Sequence, residues 1–313
     1  MKKIETVNIV GMGALGMLYG NMIRESLGTE HITYVMDEKR YERYKDDENS
    51  VNGVPVRFSK VKAAAAKPCD LLLVAVKYTG LKDTLDVMET SVGEDTIIIS
   101  VMNGISSEEI IGARYGADKV IYAIAQGMDA MHFGARLQYT KSGELCVGIT
   151  DPGMAEKLQC LTAFFDRANI AYTVEKDIRR RMWGKFMVNV GINQTCMVYN
   201  TCYAGAMKEN SQEAVTLVGA MREVILLANA EGVALTEDDL ETYIGILKTL
   251  SPDATPSMGQ DRINRRPSEV EMFAGTVIEM AKKHGIRVPA NEFLYRRVKE
   301  IEAEYGSDKQ ESE

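Results

Sequence analysis

Histidine, cysteine pairs, positive charge and long apolar runs are all in short supply in this chain, and each shortage closes off a class of function. Three histidines stand beside five cysteines, Cys69, Cys146, Cys160, Cys196 and Cys202, which are scattered, odd in number and without a CxxC pair. That is too few ligands for a zinc site, and the cysteine usage fits a reducing compartment. Lysine and arginine total 37 against 45 acidic residues, a formal charge of −8, which argues against nucleic acid as a general partner while leaving local binding of small anions open. Apolar runs such as "LLLVAV", Leu71 to Val76, fall far short of the ~20 residues that span a bilayer, and the first residues lack the apolar stretch of a signal peptide. A soluble, cytoplasmic protein without metal is the expectation. Internal repeats and low-complexity segments are missing too, and only the tail "YGSDKQESE" is expected to fray.

What is present is an ordinary globular composition, 45% hydrophobic and 26% charged, over 313 residues, enough for two cores. The first half alternates short β-branched runs with helix-length spacers: "TVNIVG", "HITYVM", "CDLLLVAVK", "DTIIISVMNG" and "KVIYAIAQG". Such alternation predicts a parallel α/β sheet. The runs "LQYT" and "LCVGI" around "KSGE" read as an antiparallel hairpin finishing that layer. Beyond about Asp177 strands give way to amphipathic stretches at 178–200, 209–231, 236–249 and 268–284. The expected organisation is a dinucleotide-binding domain over 1–177 and a helical substrate and catalytic domain over 178–313.

The dinucleotide expectation rests on "VNIVGMGALG", which sets Gly11, Gly13 and Gly16 after a strand and at the opening of a helix. Gly11 permits a tight turn, Gly13 lets backbone N–H groups approach a pyrophosphate, and Gly16 lets helix and strand pack closely. Met12, Ala14 and Leu15 complete the loop. Asp37 follows 21 positions after Gly16, at the end of the next strand, where a carboxylate can accept from ribose hydroxyls or merely end a turn. Lys39 and Arg40 come directly after it and offer positive charge for a 2′-phosphate.

In the second half, "MWGKFMVNVGIN" carries Lys185, Asn189 and Asn193 at i, i+4 and i+8. These positions spread over only about 80° of a helix, so they share one face. Phe186, Met187, Val188, Val190 and Ile192 occupy most of the rest. A polar stripe on so apolar a helix needs partners. It lines a cleft, or Lys185 runs to solvent and the asparagines pair with nearby backbone.

Six ordered motifs running nearly end to end decide between these readings: the GxGAxG loop, "AVKYTGL" with Lys77, "VMNGI" with Asn103, "WGKFMVNVGIN", "SMGQD", and "EVEMFAGTV" followed by "HGIRVPAN". In them the chain resembles the ketopantoate reductases (2-dehydropantoate 2-reductases). The resemblance implies a Rossmann-type parallel sheet followed by an all-helical domain, an α/β protein with its active site in the cleft between the two. It implies NAD(P)H-dependent reduction of ketopantoate to (R)-pantoate, a step of pantothenate and coenzyme A synthesis. It makes Lys185 the catalytic lysine, Asn189 and Asn193 substrate contacts, and Ser257 the serine that holds the substrate. Glu269, twelve residues further on, becomes the active-site glutamate, serving catalysis and cofactor alike. Lys77 and Asn103 fall at the cofactor, with Asn103 near the substrate as well. Members of the family occur in more than one assembly, a homodimer among them.

Two departures from the family pattern matter. The family often supplies a further asparagine after the helix, where this chain has Tyr203; Asn200, on the spacing of the Lys185 face, is the expected substitute. NADPH-using members commonly carry arginine where Asp37 stands here, so NADP or NAD stays open. Chemically, a lysine ammonium suits the carbonyl because hydride transfer builds negative charge on its oxygen. Asparagine orients a substrate without adding charge. Glu269 also has a structural reading, "PSEVE", with Ser268 as N-cap, Glu271 as capping-box partner and Glu269 as a first-turn acid. Ser257 reads equally as a turn residue after Pro256, and "MVNVGINQTCM" as core. Two rival functions keep the fold: a reductase of another branched 2-oxo acid or ketone, and a dinucleotide-binding sensor without catalysis.

Overall fold

The computed structural model describes residues 3–310. It divides into two compact units, Met1–Ile178 and Arg179–Glu313.

In the first unit the strands are β1 (Val7–Val10), β2 (Ile32–Met36), β3 (Asn49–Val51), β4 (Val54–Val56), β5 (Lys60–Lys62), β6 (Leu71–Val74), β7 (Ile97–Ser100), β8 (Val120–Met128), β9 (Met131–Phe133), β10 (Arg136–Gln138), β11 (Ser142–Gly148) and β12 (Tyr172–Val174). Its helices are α1 (Ala14–Leu27), α2 (Glu38–Tyr44), α3 (Leu81–Met88), α4 (Ser107–Tyr115) and α5 (Ala155–Arg167). Eight strands form one sheet in the order β12-β11-β8-β7-β6-β1-β2-β5. All neighbours are parallel except β8 and β11. Both faces are covered, which is why the strands read as continuous apolar runs. Ile9, Tyr34, Leu71, Leu73, Ile97 and Ile99 pack with Tyr19 and Ile23 of α1 and Phe164 and Phe165 of α5. Val10, Val35, Leu72, Val74 and Ile98 pack with Leu81 and Met88 of α3 and Ile111 of α4.

The expected hairpin around "KSGE" does not form. Arg136–Gln138 belongs to a separate small sheet, β4-β3-β10-β9, whereas Ser142–Gly148 pairs antiparallel with β8 in the main sheet. Leu137, Val51 and Val56 bury against Met17 and Leu18, so the small sheet covers the outer face of α1. Burial on α1 outweighs the sequence proximity of the two runs. The β3–β4 turn carried a signal the sequence reading passed over: Asn52 and Gly53, both at positive φ, form the two-residue turn that suits a twisted hairpin.

The second unit has helices and no strand among the described residues: α6 (Ile178–Tyr199), α7 (Tyr203–Ala206), α8 (Gln212–Ala230), α9 (Glu237–Lys248), α10 (Ser257–Ile263), a π-helical turn (Glu271–Gly275), α11 (Thr276–His284) and α12 (Pro289–Gln310). Two glycines let neighbours press on α6: a Cβ at Gly184 would lie 2.3 Å from the Tyr243 hydroxyl, and one at Gly191 would lie 2.6 Å from Met221 Cγ. Each costs roughly 1 kcal/mol of helix propensity, offset by the packing it allows. The tail expected to fray is helical through Gln310, and 311–313 lie outside the described residues. No helix among the described residues is long and apolar enough to cross a membrane.

Candidate active site

The glycine loop and three single residues expected at the cofactor follow four adjacent parallel strands, β7-β6-β1-β2. Asn103 comes after β7, Lys77 after β6, the glycine loop after β1 and Asp37 after β2. Val10 pairs with both Val35 and Val74, and Val74 with Ser100, so the carboxyl ends are level. The order reverses between β6 and β1, where open α/β sheets leave a crevice.

The glycines divide the work as their positions require. Gly11 has φ +103°, and a Cβ there would meet the Ala75 carbonyl oxygen at 2.3 Å. A Cβ at Gly16 would lie 1.9 Å from the Gly11 carbonyl oxygen, so this glycine lets the loop close on itself. At Gly13 a Cβ would meet nothing within 4 Å. That open side, with no side-chain cap and no acidic residue in the first turn of α1, leaves N–H groups facing outward and suits a pyrophosphate.

Asp37 is already employed. Its Oδ1 accepts from the Arg40 backbone N–H at 2.8 Å, capping α2, and Oδ2 lies 3.5 Å from Arg40 Nε. The Arg40 guanidinium reaches toward the next loop, with Nη2 3.8 Å from where a Gly80 Cβ would sit. The structural reading of Asp37 holds, since it ends a strand and caps a helix, and its side chain keeps 38% exposure.

On α6, Lys185 and Asn189 are half-buried and Asn193 is buried, while Phe186, Met187, Val190 and Ile192 are core. Asn193 Nδ2 donates to Asn189 Oδ1 at 3.4 Å, and Asn193 Oδ1 accepts from Ser257 Oγ at 2.8 Å and from the Met258 N–H at 3.4 Å. Three of the residues expected at the substrate thus form one chain, from the exposed Ser257 inward. Pro256, the N-cap of α10, supplies no side-chain acceptor, so Asn193 supplies it from another helix.

Asn200 does not join them. α6 ends at Tyr199, Asn200 turns left-handed at φ +52° and is exposed, and the Thr201 N–H returns to the Cys196 carbonyl at 3.1 Å. Helical spacing cannot be carried through this cap. Arg262 of α10 donates to the Met197 and Val198 carbonyls and seals the same helix end, a role the sequence reading missed although unpaired terminal carbonyls call for such a donor.

The capping box at Ser268 also fails. Ser268 Oγ accepts from the Val270 N–H at 3.3 Å and donates to Glu302 at 2.7 Å, but the Glu271 carboxylate accepts from Tyr295 at 2.9 Å and Lys299 at 3.2 Å. Glu271 begins the π-helical turn, and the Glu269 carbonyl just before it accepts from the N–H groups of both Met272 and Phe273. The widened turn is held by Gln194 of α6, whose Oε1 takes the Ala274 N–H at 3.2 Å. Such turns recur at functional sites, and none was expected from the sequence. Among the described residues no group of histidine, cysteine and acidic side chains could hold a metal ion.

The chain matches the ketopantoate reductase PanE/ApbA family over residues 7–151 and that family's C-terminal domain over 177–302. It belongs to the ketopantoate reductase family. Among relatives within it, the 2-dehydropantoate 2-reductase of Streptococcus pyogenes is 24% identical, with 90% of this chain and 93% of the relative covered. That of Pyrococcus horikoshii is 26% identical over 97% and 99% of the two chains. A PanE/ApbA family ketopantoate reductase from Ralstonia eutropha JMP134 superposes with a TM-score of 0.80 at 21% identity, covering 96% of this chain and 99% of that one. The fold is shared equally with a D-mandelate dehydrogenase solved with NADH and anilino(oxo)acetate, TM-score 0.83 at 20% identity and the same coverage. Members of the ketopantoate reductase family are NAD(P)-dependent oxidoreductases, and this chain is one by that membership.

Proposed function

We propose that the protein reduces ketopantoate to (R)-pantoate with NADPH or NADH, a cytoplasmic step that feeds pantothenate and coenzyme A synthesis. The chain of hydrogen bonds from Ser257 through Asn193 to Asn189, on the helix face that carries Lys185, is the observation that carries this reading. It sets uncharged donors and acceptors beside one ammonium, as a 2-oxo acid with a neighbouring hydroxyl requires. In this reading residues 1–177 bind the dinucleotide and residues 178–313 the substrate.

A bound nicotinamide dinucleotide supplies the hydride. Gly11, Met12, Gly13, Ala14, Leu15 and Gly16 cradle its pyrophosphate, Asp37 takes the adenosine ribose, and Lys77 and Asn103 line the same edge. Lys185 neutralises the charge that builds on the carbonyl oxygen and hands it a proton. Glu269 orients the substrate hydroxyl and favours the protonated lysine. Asn189, Asn193 and Ser257 fix the 2-oxo acid; Asn200, beyond the helix end, drops out of this set.

A second reading keeps the chemistry and changes the acid. Tyr203, half-buried where the family commonly has asparagine, replaces an amide by an aromatic ring and suits a less polar 2-oxo acid, of which the anilino(oxo)acetate in the D-mandelate dehydrogenase structure is one instance. Steady-state oxidation of NADPH and NADH with ketopantoate, and separately with phenylglyoxylate, tests both. The first reading expects kcat/KM for ketopantoate to lead by tenfold or more, on the order of 1.4 kcal/mol. The reverse ranking establishes the second, and oxidation with neither acid leaves a binding protein. Size-exclusion chromatography of the same sample tests the homodimer.

A further inference from the structure

Glu108 sits in the first turn of α4 and is only 2% exposed. Its Oε2 accepts from Ser107 Oγ at 2.8 Å, Ser107 accepts from Ser100 Oγ at 2.9 Å, and Ser100 accepts from the Met102 N–H at 3.4 Å. Every donor in this relay points toward the carboxyl. Its other oxygen, Oε1, has no hydrogen-bond partner among the described residues. Backbone N–H groups of Glu108 and of Ala123 on β8 favour the anion, but burial outweighs them and pushes the carboxyl up to about 7.

The place is a fork in the sheet. β7 and β8 pair through Ile98 with Val120 and Ile99 with Ile121 and then part, β8 running on beside β11 alone. α4 lies against both strands, and the acid of Glu108 stands where they separate. A buried oxygen short of partners destabilises the fold, and an apolar side chain of the same size would fill the space without that cost. Stability gives no reason for an acid here. The relay it terminates, by contrast, ends on Met102, immediately before Asn103, and on Ser100, the last residue of β7.

We propose that Glu108 is a positioning residue for the reaction: through Ser107 and Ser100 it fixes the connection between β7 and α4 and thereby aims Asn103. The proposal rests on the reading of Asn103 as a substrate and cofactor contact. With the relay intact, the Met102 N–H is anchored and the turn through Gly104, at φ +96°, has one course; without it, the Asn103 side chain samples others.

The experiment is a double-mutant cycle on the full-length enzyme, reading KM for the 2-oxo acid, kcat and the dinucleotide Kd. Glu108→Ala is expected to raise KM or lower kcat by about tenfold, with circular dichroism unchanged, and Glu108→Gln, which still accepts from Ser107, to restore most of the loss. Should Glu108→Ala fail to fold, Ser100→Ala breaks the relay at its far end and is expected to act in the same direction. In an Asn103→Ala background the further loss from either variant is expected to vanish, because there is no side chain left to aim. Full additivity, or a fall in Tm with kinetics unchanged, overturns the proposal and leaves Asn103 its role. Wild-type kinetics for Asn103→Ala alone overturn the reading of Asn103 and this proposal together.

Discussion

The Ser257 hydroxyl donates to Asn193 Oδ1 across 2.8 Å, joining the first residue of α10 to the buried face of α6. The same oxygen receives the Met258 N–H, so one asparagine carries both a helix cap and a contact proposed for substrate. Asparagine does this because its carbonyl accepts twice while its amide still donates to Asn189.

These two roles separate by mutation. Asn193→Ala leaves a buried N–H and a hydroxyl without an acceptor and should destabilise the protein by ~1–3 kcal/mol. Ser257→Ala removes an exposed hydroxyl and should cost less than about 1 kcal/mol. Both should raise KM for the 2-oxo acid and leave the dinucleotide Kd unchanged. Thermal denaturation alongside initial rates checks the pair, and an unchanged KM in Ser257→Ala removes that serine from the substrate site.

Lys185 is proposed to act in the transition state, so its loss should appear in kcat. Lys185→Met, which keeps the packing of the aliphatic stem, should lower kcat by ~10²–10⁴ with dinucleotide affinity nearly intact. Retention of more than about a tenth of wild-type kcat is incompatible with an acid worth that factor.

Cofactor preference is expected to turn on Asp37 and Arg40 acting as a pair. A carboxylate favours a free ribose diol and repels a phosphate dianion, while the Arg40 guanidinium toward Gly80 offsets part of that repulsion. Both dinucleotides should therefore be used. Asp37→Asn retains an acceptor for the Arg40 N–H and should move preference toward NADPH by about tenfold, ~1.4 kcal/mol. Asp37→Arg should move it at least as far but also forfeits the α2 cap, worth ~0.5–2 kcal/mol of stability. Arg40→Ala should weaken NADPH more than NADH. A wild-type preference for NADPH of about a thousandfold, ~4 kcal/mol, would assign control elsewhere.

Burial of Glu108 predicts a pH dependence of stability whose sign is fixed. Its carboxyl is raised to about 7 in the folded protein, so the folded state holds a proton the unfolded chain releases near its ordinary value of 4.5. This stabilisation is complete below about pH 4.5 and is lost as pH rises through 7. Other carboxylates shift as well, Glu42 and Asp129 downward and Glu223 upward, so the measurable quantity is the difference between wild type and Glu108→Gln. Relative to that variant, wild type should lose on the order of 3 kcal/mol between about pH 4.5 and 8 in urea unfolding. A difference independent of pH would mean that Glu108 is ionised throughout.

The loop Gly11 to Gly16 and the stripe Lys185, Asn189 and Asn193 were legible because each is a local pattern, repeating at the period of a turn or helix that any neighbour must accept. The parallel sheet was legible for the same reason, since strands covered on both faces are apolar at every position, as Leu71–Val74 is. What could not be read locally was the destination of each polar group. Asn200 kept its count from Lys185, but Arg262, 62 residues further along, closes the helix before it. Glu271 stood three residues after Ser268, but Tyr295 and Lys299 of α12 claim its carboxylate. The run "LQYT" is as good a hairpin strand as a partner for β3, and only burial of Leu137 on α1 chooses between them. The sequence by itself therefore determined the periodicities, the glycine loop and the family's ordered motifs. Tertiary structure alone decided which donor meets which acceptor, because hydrogen bonds are satisfied by whatever remote segment packing brings within 3 Å or so, and nothing in a short window of residues encodes that neighbour.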